Sequence, residues 1–170
     1  AGNRCFDECL PEETNRRIVD IISDVNLCYS EHARRYLNAS GVAKERTYVT
    51  GSPMAEVLHN NLADIEASDI HSRLGLEKGR YILLSAHREE NIDTEKNFTS
   101  LFTAINKMAE KYDMPILYSC HPRSRNRLEA SGFKLDPRVI QHEPLGFHDY
   151  NCLQMNAFAV VSDSGKCHYG

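Results

Sequence analysis

The sequence lacks the excess of basic residues that nucleic-acid-binding surfaces carry. Lysine and arginine together number 20 against 24 aspartates and glutamates, which leaves a formal net charge of −4 over 170 residues. Affinity for nucleic acid depends largely on clustered Lys and Arg side chains. The short basic run Arg123, Arg125 and Arg127 fits the solvated face of a loop and helix at least as well as an anion site. Composition therefore argues against nucleic acid as a partner.

Long hydrophobic runs and paired cysteines are also missing. No apolar stretch approaches the roughly 20 residues that a membrane-spanning helix needs, and no signal peptide is visible, which predicts a cytoplasmic protein without a membrane partner. None of the six cysteines forms a C-x-x-C pair, so free reduced thiols are predicted and no metal site. The chain has no initiator methionine and opens on Ala1-Gly2-Asn3-Arg4, which we interpret as the start of a fragment.

What the sequence does contain is a regular alternation of strand and helix patterns. The clearest element is a helix over 96–112, where Phe98, Phe102, Ile105 and Ala109 recur at three-and-four spacing. Further helices are predicted over 11–22, 31–37, 123–130 and 149–155 and from Met54, and strands over 26–30, 46–51, 81–85, 114–120, 138–141 and 157–161. Strands that alternate with helices predict right-handed βαβ units on a parallel sheet, and hence an α/β fold with a boundary near residue 60.

Polar side chains follow four of the predicted strands at the point where each strand ends. These sets are His87-Arg88-Glu89-Glu90, His121-Pro122-Arg123, His142-Glu143-Pro144-Leu145-Gly146 and Ser162-Asp163-Ser164-Gly165. In open α/β sheets, ligands bind at the carboxyl ends of the strands. We therefore interpret the four sets as parts of one site.

Taken one at a time, the polar groups allow two interpretations. Ser162-Asp163-Ser164-Gly165 suits a phosphate cradle, where backbone N–H groups and a helix dipole face an anion, but it also suits an ordinary helix N-cap. His87 beside Arg88 can stabilise charge on a departing diphosphate, whereas a lone histidine is more often structural. His121 equally suits the simple end of a strand. Glu12, in the first turn of a predicted helix, is by itself explained as a cap that complements the helix dipole.

In their order along the chain, the motifs resemble those of non-hydrolysing UDP-N-acetylglucosamine 2-epimerases. The resemblance covers residues 1 to about 165 and is carried by Ala1-Gly2-Asn3-Arg4-Cys5-Phe6-Asp7, Pro11-Glu12-Glu13-Thr14-Asn15-Arg16, Thr50-Gly51-Ser52-Pro53, Ser85-Ala86-His87-Arg88-Glu89-Glu90-Asn91, His121-Pro122-Arg123 and Ser162-Asp163-Ser164-Gly165. The first and fourth of these are most similar to a capsule and O-antigen branch. That branch makes UDP-N-acetyl-L-fucosamine by 2-epimerising a 6-deoxy-talose precursor.

The resemblance implies a fold and a reaction. The fold is GT-B-like, with two Rossmann-like lobes that have parallel sheets. Residues 1–60 then correspond to the C-terminal part of the first lobe, 61–80 to a crossover, and 81–165 to a partial, UDP-binding second lobe, while 166–170 form a tail that does not match. In the reaction, C2 loses its proton, UDP leaves C1, and UDP returns after C2 is reprotonated on the other face. No metal or redox cofactor is required.

The resemblance also implies which residues act. Glu12 matches an acid/base near the sugar, and His87 matches a catalytic histidine at the diphosphate. The substrate-binding residues that it implies are Arg4, Arg88 near the diphosphate, His121 at a lobe interface linked to a regulatory UDP-sugar, Tyr150 packed on uracil, and Ser164 and Gly165 in the diphosphate cradle.

The same residues are compatible with other functions. A GT-B glycosyltransferase would share the cradle and the cleft, and a hydrolysing 2-epimerase would release free sugar. A nucleotide-sugar-binding regulatory module would not need Glu12. The family resemblance favours a homodimer at full length, and it predicts little or no activity for residues 1–170 alone, because a family glutamate that precedes Ala1 is absent.

Overall fold

The computed structural model of the chain describes residues 1–6, 11–86, 94–120 and 122–162. The chain forms two compact units, Ala1–Leu58 and His59–Gly170, and each contains a parallel sheet. The fold is α/β, as the alternation of strand and helix patterns predicts.

The first unit contains a two-stranded parallel sheet and its flanking helices. Its elements are α1 (Pro11–Ile22), β1 (Asn26–Cys28), α2 (Glu31–Ala39), a 3₁₀ turn (Lys44–Arg46) and β2 (Thr47–Val49), with α3 (Met54–Asn60) crossing the division between the units. Pro11 opens α1 because its fixed φ suits the first helical position. Ser30 caps α2, where its hydroxyl accepts a hydrogen bond from Ala33 N at 3.2 Å.

A glycine allows the segment 1–6 to pass close to α2. Gly2 has a φ of +76°, and a Cβ at this position would lie 2.3 Å from the carbonyl oxygen of Ala33. Since only glycine accepts both the positive φ and the close approach, a larger residue would push the segment away from the helix. Buried Cys28, Ala33 and Leu37 form the core beside this contact.

The second unit contains a four-stranded sheet. Its elements are α4 (Leu62–Glu66), α5 (Ile70–Leu74), β3 (Ile82–Ser85), α6 (Glu95–Tyr112), β4 (Ile116–Ser119), α7 (Pro122–Ser131), β5 (Val139–His142), α8 (Phe147–Asn156) and β6 (Ala159–Ser162). All four strands are parallel, and their spatial order is β5-β4-β3-β6. The sheet confirms the predicted parallel arrangement. Every residue of β3 and β4 is buried, which explains why both strands are continuous apolar runs in the sequence.

The core of the second unit lies between its sheet and α6. Phe98, Phe102, Ile105 and Ala109 of α6 are buried, and the Phe102 ring meets Tyr118 of β4 with 5.8 Å between ring centroids. This confirms the helix that the three-and-four spacing predicts. Among the described residues, no helix is both long and apolar enough to cross a membrane.

Residues 61–80 form more regular structure than the sequence indicates. The sequence pattern assigns no helix or strand to this stretch, whereas the structure places α4 and α5 within it, each five residues long. A helix of barely more than one turn shows too few apolar positions to reveal a period. Both short helices contact α8.

Candidate functional site

The four strands of the second unit end in one row at the carboxyl edge of their sheet. Ser85 of β3 pairs in register with Ser119 of β4 and with Ser162 of β6, and Ser119 pairs with His142 of β5. One residue beyond β4, Cys120 N donates a 2.7 Å hydrogen bond to the carbonyl oxygen of His142. The segments that follow the four strands therefore leave from a single edge.

The strand order reverses at β3. From β3 the chain moves outward to β4 and β5, and then returns to place β6 on the opposite side of β3. Such a topological switch point is where open α/β sheets form the crevice that holds a ligand. The two polar sets nearest to it in the sequence are those that follow β3 and β6, namely His87-Arg88-Glu89-Glu90 and Ser162-Asp163-Ser164-Gly165.

Five of the predicted site residues lie outside the described residues. They are His87, Arg88, His121, Ser164 and Gly165. The structure describes the strand ends that precede them, and their own roles stay predictions.

The N-terminal end of α8 lies at the same carboxyl edge. β5 ends at His142, and α8 begins at Phe147, only a short loop later. At the far end of α8, the carbonyl oxygen of Leu153 accepts a 2.5 Å hydrogen bond from the hydroxyl of Tyr81, which directly precedes β3. The helix therefore runs back along the sheet from the carboxyl edge to the amino edge.

Tyr150, predicted to pack on uracil, lies near this N-terminal end. Its side chain is half-buried, and the neighbouring Phe147 is 41% exposed. Aromatic rings offer flat apolar faces on which a nucleic acid base can stack. The location at the carboxyl edge is compatible with the predicted contact, which itself stays a prediction.

Asp149 ties this end of α8 to the short helices that precede β3. One of its carboxylate oxygens accepts a hydrogen bond from Ser68 Oγ at 2.6 Å, and the other accepts one from Arg73 Nη2 at 2.6 Å. These two bonds, first that of Ser68 and then that of Arg73, hold the pKa of the Asp149 carboxyl below its usual range. Arg73 is fixed in turn, because its Nε donates to Asp69 Oδ1 at 2.7 Å.

In the first unit, the two glutamates that open α1 have different environments. Glu12 is exposed, while Glu13 is 1% exposed. The Glu13 carboxylate accepts hydrogen bonds from Cys5 N at 3.0 Å, from Cys5 Sγ at 3.3 Å and from Arg17 Nε at 3.0 Å. The backbone bond from Cys5, followed by the side-chain bonds from Cys5 and Arg17, lowers the pKa of the Glu13 carboxyl despite the opposing effect of burial.

Arg4, a predicted substrate-binding residue, forms a buried ion pair. Its Nη1 lies 2.6 Å from Asp20 Oδ2, and the two side chains are only 5% and 6% exposed. The same oxygen accepts a 3.1 Å hydrogen bond from Gly2 N. Asp20 therefore holds the segment 1–6 against α1 by a backbone and a side-chain contact, and the substrate role of Arg4 stays a prediction.

A cleft of about 330 Å³ lies beside this segment. Its lining residues are Ala1, Gly2, Asn3, Asn15, Arg16, Val19 and Asp20. Asn15 and Arg16 belong to the same motif as Glu12, so part of that motif faces a concave surface. Within residues 1–6, 11–86, 94–120 and 122–162, no group of three or more His, Cys, Asp or Glu side chains could hold a metal ion.

Comparison with known proteins identifies the family. A family model described as UDP-N-acetylglucosamine 2-epimerase matches residues 1–167. The chain belongs to the UDP-N-acetylglucosamine 2-epimerase family.

Two curated relatives show how far the likeness extends. The chain is 31% identical to the UDP-N-acetylglucosamine 2-epimerase of Methanococcus maripaludis, over 97% of this chain and 47% of that protein. It is also 31% identical to the UDP-2,3-diacetamido-2,3-dideoxy-D-glucuronate 2-epimerase of Pseudomonas aeruginosa, over 97% of this chain and 45% of that protein. The chain thus spans about half the length of the curated relatives it matches.

Solved structures of 2-epimerases share the fold. The UDP-N-acetylglucosamine 2-epimerase of Rickettsia bellii is 41% identical with a TM-score of 0.87, over 98% of this chain and 44% of that one. The Methanocaldococcus jannaschii UDP-GlcNAc 2-epimerase, in complex with UDP-GlcNAc and UDP, is 30% identical with a TM-score of 0.88. The match covers 98% of this chain and 48% of that one. The chain has the GT-B-like α/β fold of these 2-epimerases and corresponds to about half of their length.

Three anchoring carboxylates of this chain were not predicted from its sequence: Glu13, Asp20 and Asp149. For Glu13 a signal was present, since Arg17 follows four residues later on the same helix face. Asp20 and Asp149 bind partners 16 and 76 residues distant, Arg4 and Arg73, and no local pattern reveals such pairs.

Proposed function

We propose that the intact protein interconverts the C2 epimers of a UDP-N-acetylhexosamine by elimination and re-addition of UDP, for the biosynthesis of surface polysaccharides. The substrate pair is UDP-GlcNAc and UDP-ManNAc or, in the capsule and O-antigen branch, the UDP-6-deoxy-talosamine precursor and UDP-N-acetyl-L-fucosamine. The observation that carries the proposal is the aligned carboxyl edge of the four-stranded sheet, with its switch point at β3, in a chain of the 2-epimerase family.

The chemistry explains the kind of site that is needed. The C2–H group is weakly acidic and no carbonyl adjoins it, so departure of the diphosphate must drive loss of the proton. A base takes the proton, the C–H electrons form the C1=C2 double bond, and the C1–O bond breaks with its electrons on UDP. Reprotonation of C2 on the other face and attack of UDP on C1 then give the epimer. Cationic and N–H groups are needed around the phosphates, and a carboxylate is needed near C2.

The first unit supplies the carboxylate in this proposal. Glu12 acts as the acid/base near the sugar, and its exposed side chain supports this role, because the adjacent Glu13 already has three internal hydrogen bonds. Arg4 binds substrate beside the cleft that Asn15 and Arg16 line.

The second unit supplies the nucleotide site. His87 acts at the diphosphate as a catalytic residue, and Arg88 adds positive charge there. Ser164 and Gly165 form the diphosphate cradle after β6, and Tyr150 packs on uracil. The switch point between the strands that precede these groups supports their convergence on one ligand.

Three further parts of the proposal concern the intact protein. His121 contributes to a second, regulatory UDP-sugar site, and the protein is a homodimer in the cytoplasm. The reaction as written uses no cofactor.

An isotope experiment tests the function. The intact protein is supplied with UDP-GlcNAc and, in a separate sample, with the 6-deoxy-talo substrate in deuterated water, and C2 of each sugar is examined by NMR. Deuterium at C2 with the sugar still joined to UDP supports the proposal. Release of free sugar indicates a hydrolysing enzyme, transfer of sugar to an acceptor indicates a glycosyltransferase, and UDP binding without exchange indicates a regulatory module; each of these results contradicts it.

Glu12→Gln tests the assigned acid/base. Because the amide cannot take up the C2 proton, we expect exchange to fall by about 10²-fold or more while the affinity for UDP stays within about twofold. Glu31→Gln is a matched control, since Glu31 also lies in the first turn of a helix in the same unit and pairs with Arg34. Undiminished exchange in Glu12→Gln would reject the role of Glu12.

The choice of sugar needs its own measurement. The two curated relatives named above act on different UDP-sugars by name, so family membership leaves the sugar open. Assays of the intact protein with UDP-GlcNAc and with the 6-deoxy-talo substrate, at equal concentration, compare the two kcat/KM values directly. A higher value for the 6-deoxy-talo sugar supports the capsule and O-antigen branch, and a higher value for UDP-GlcNAc rejects it.

A further inference from the structure

The N-cap residue of α8 makes no side-chain hydrogen bond to the first turn of the helix. Gly146 occupies the N-cap position and has no side chain with which to bond the free N–H groups of the helix. An aspartate in a first turn ordinarily complements the dipole of its own helix. Here both carboxylate oxygens of Asp149 instead bind groups of another segment, namely Ser68 Oγ and Arg73 Nη2.

That other segment contacts α8 along its length. α4 and α5 both pack against α8, and a third polar contact joins His148 Nε2 to Asn61 Oδ1 at 3.1 Å. Arg73 is oriented by its bond to Asp69, so the guanidinium reaches Asp149 from a fixed direction. The N-terminal end of α8 is thus positioned by the helical pair before β3.

Two hydrogen bonds to the Asp149 carboxylate constrain both the position of α8 along its axis and its rotation about that axis. Asp149 and Tyr150 are consecutive, so their side chains leave the helix axis about 100° apart. When two partners fix the direction of Asp149, the direction in which the Cα–Cβ bond of Tyr150 leaves the helix is constrained as well. The Arg73 and Asp149 side chains are 50% and 24% exposed, and ion pairs of this kind contribute little to folding stability.

We propose that Asp149 is a positioning residue for nucleotide binding, which holds Tyr150 at the carboxyl edge of the sheet through its bonds to Ser68 and Arg73. This inference rests on the proposed function, in which Tyr150 packs on uracil. Asp149 itself touches no substrate. Its loss should affect recognition of the base and leave recognition of the diphosphate intact.

The test compares two ligands by calorimetry on the intact protein: UDP, which has a base, and inorganic pyrophosphate, which has none. We expect Asp149→Asn to weaken UDP binding about tenfold, because a displaced aromatic ring loses much of its stacking on the base. Pyrophosphate binding should stay within about twofold. Arg73→Lys keeps the positive charge but replaces the planar guanidinium with an ammonium group. We therefore expect a smaller loss of UDP affinity than in Asp149→Asn, and no loss of pyrophosphate affinity.

Asp113→Asn provides a matched control. Asp113 pairs with Arg138 at 2.6 Å, the same distance as the Asp149–Arg73 pair, but it lies between α6 and β4 at the amino edge of the sheet. Its left-handed φ of +49° suits asparagine as well as aspartate. This variant should bind both ligands like the wild type.

Several results overturn the inference. Equal loss of UDP and pyrophosphate binding in Asp149→Asn and in Arg73→Lys would mean a general structural role, and unchanged UDP binding in both variants would mean no role. If the wild type bound UDP no more tightly than pyrophosphate, the uridine would contribute no affinity, and the inference would also be rejected. A wild type that binds neither ligand defeats the proposed function and this inference together.

Discussion

At the scale of single residues, position on the helix surface decides what a carboxylate can do. Glu12 and Glu13 are identical side chains in the first turn of α1, yet one is exposed and the other is buried under Cys5 and Arg17. Consecutive side chains on a helix point about 100° apart, so one can face solvent while the next is buried against the protein. Arg17, four residues after Glu13, is the local sign of an internal partner for that carboxylate, whereas the resemblance alone pointed to Glu12.

A buried histidine shows the same dependence on surroundings. The hydroxyl of Tyr81 donates to Leu153 O, so His71 Nε2, which lies 3.0 Å from that hydroxyl, acts as the donor to it. His71 Nδ1 then accepts from the thiol of Cys152, with 3.8 Å between nitrogen and sulfur. The imidazole is therefore neutral, and burial, followed by the positive charge of Lys78, lowers its pKa.

This lowered pKa predicts a pH dependence of stability. The pKa of His71 in the folded chain lies below its unfolded value of 6.5, so the unfolded chain binds the proton more readily. The contribution to stability is present above pH 6.5 and is lost as the pH falls through the folded pKa. We expect the urea midpoint to decrease between pH 7.5 and pH 5.5, and to decrease less in His71→Gln. Exposed His59 offers the control, because His59→Gln should keep the wild-type decrease.

At the scale of elements, periodicity predicts what packing requires. α6 presents its buried residues on one face, and β3 and β4 are apolar up to their terminal serines because both of their faces are covered, so these elements could be predicted from sequence. α4 and α5 are too short to show a period, and their contacts with α8 form between distant parts of the chain. The ion pair between Asp149 and Arg73 therefore could not be predicted, although Asp149 is adjacent to Tyr150, a predicted site residue.

Phe102 tests how much α6 contributes. Its side chain is fully buried and meets Phe98, Tyr118 and Phe133. We expect Phe102→Ala to lower the free energy of unfolding by about 3–5 kcal/mol, because it removes buried surface and leaves a cavity. Exposed Thr99 lies on the outer face of the same helix, and Thr99→Ala should change stability by no more than about 0.5 kcal/mol. Urea unfolding of both variants measures the difference, and equal effects would contradict the assigned core.

At the scale of the whole molecule, carboxylates paired with arginine recur in both units. Glu13 with Arg17 and Glu31 with Arg34 lie in the first unit, and Asp136 with Arg138 and Asp149 with Arg73 lie in the second. The pKa of each of these carboxyls is lowered. The register of the strand ends could be expected from the alternation of the elements, but the pairing of these charges depends on three-dimensional contacts. Together they make the folded chain sensitive to acid.

The sign of the acid effect follows from the lowered pKa values. Paired carboxylates contribute stability above their unfolded pKa values, 3.8 for Asp and 4.5 for Glu, and that contribution is lost as the pH falls through the folded values. For Asp136, whose pKa the side chain and then the backbone N–H of Arg138 lower to about 2, the loss extends to the lowest pH. We expect the urea midpoint to decrease steadily from pH 4.5 to pH 2. Arg138→Met removes the largest cause of the Asp136 shift, the side-chain bond, and keeps the backbone N–H, so its midpoint should depend less on pH below 3.8. A variant midpoint that decreases as steeply as that of the wild type in this interval would show that the Arg138 pair does not contribute to acid sensitivity.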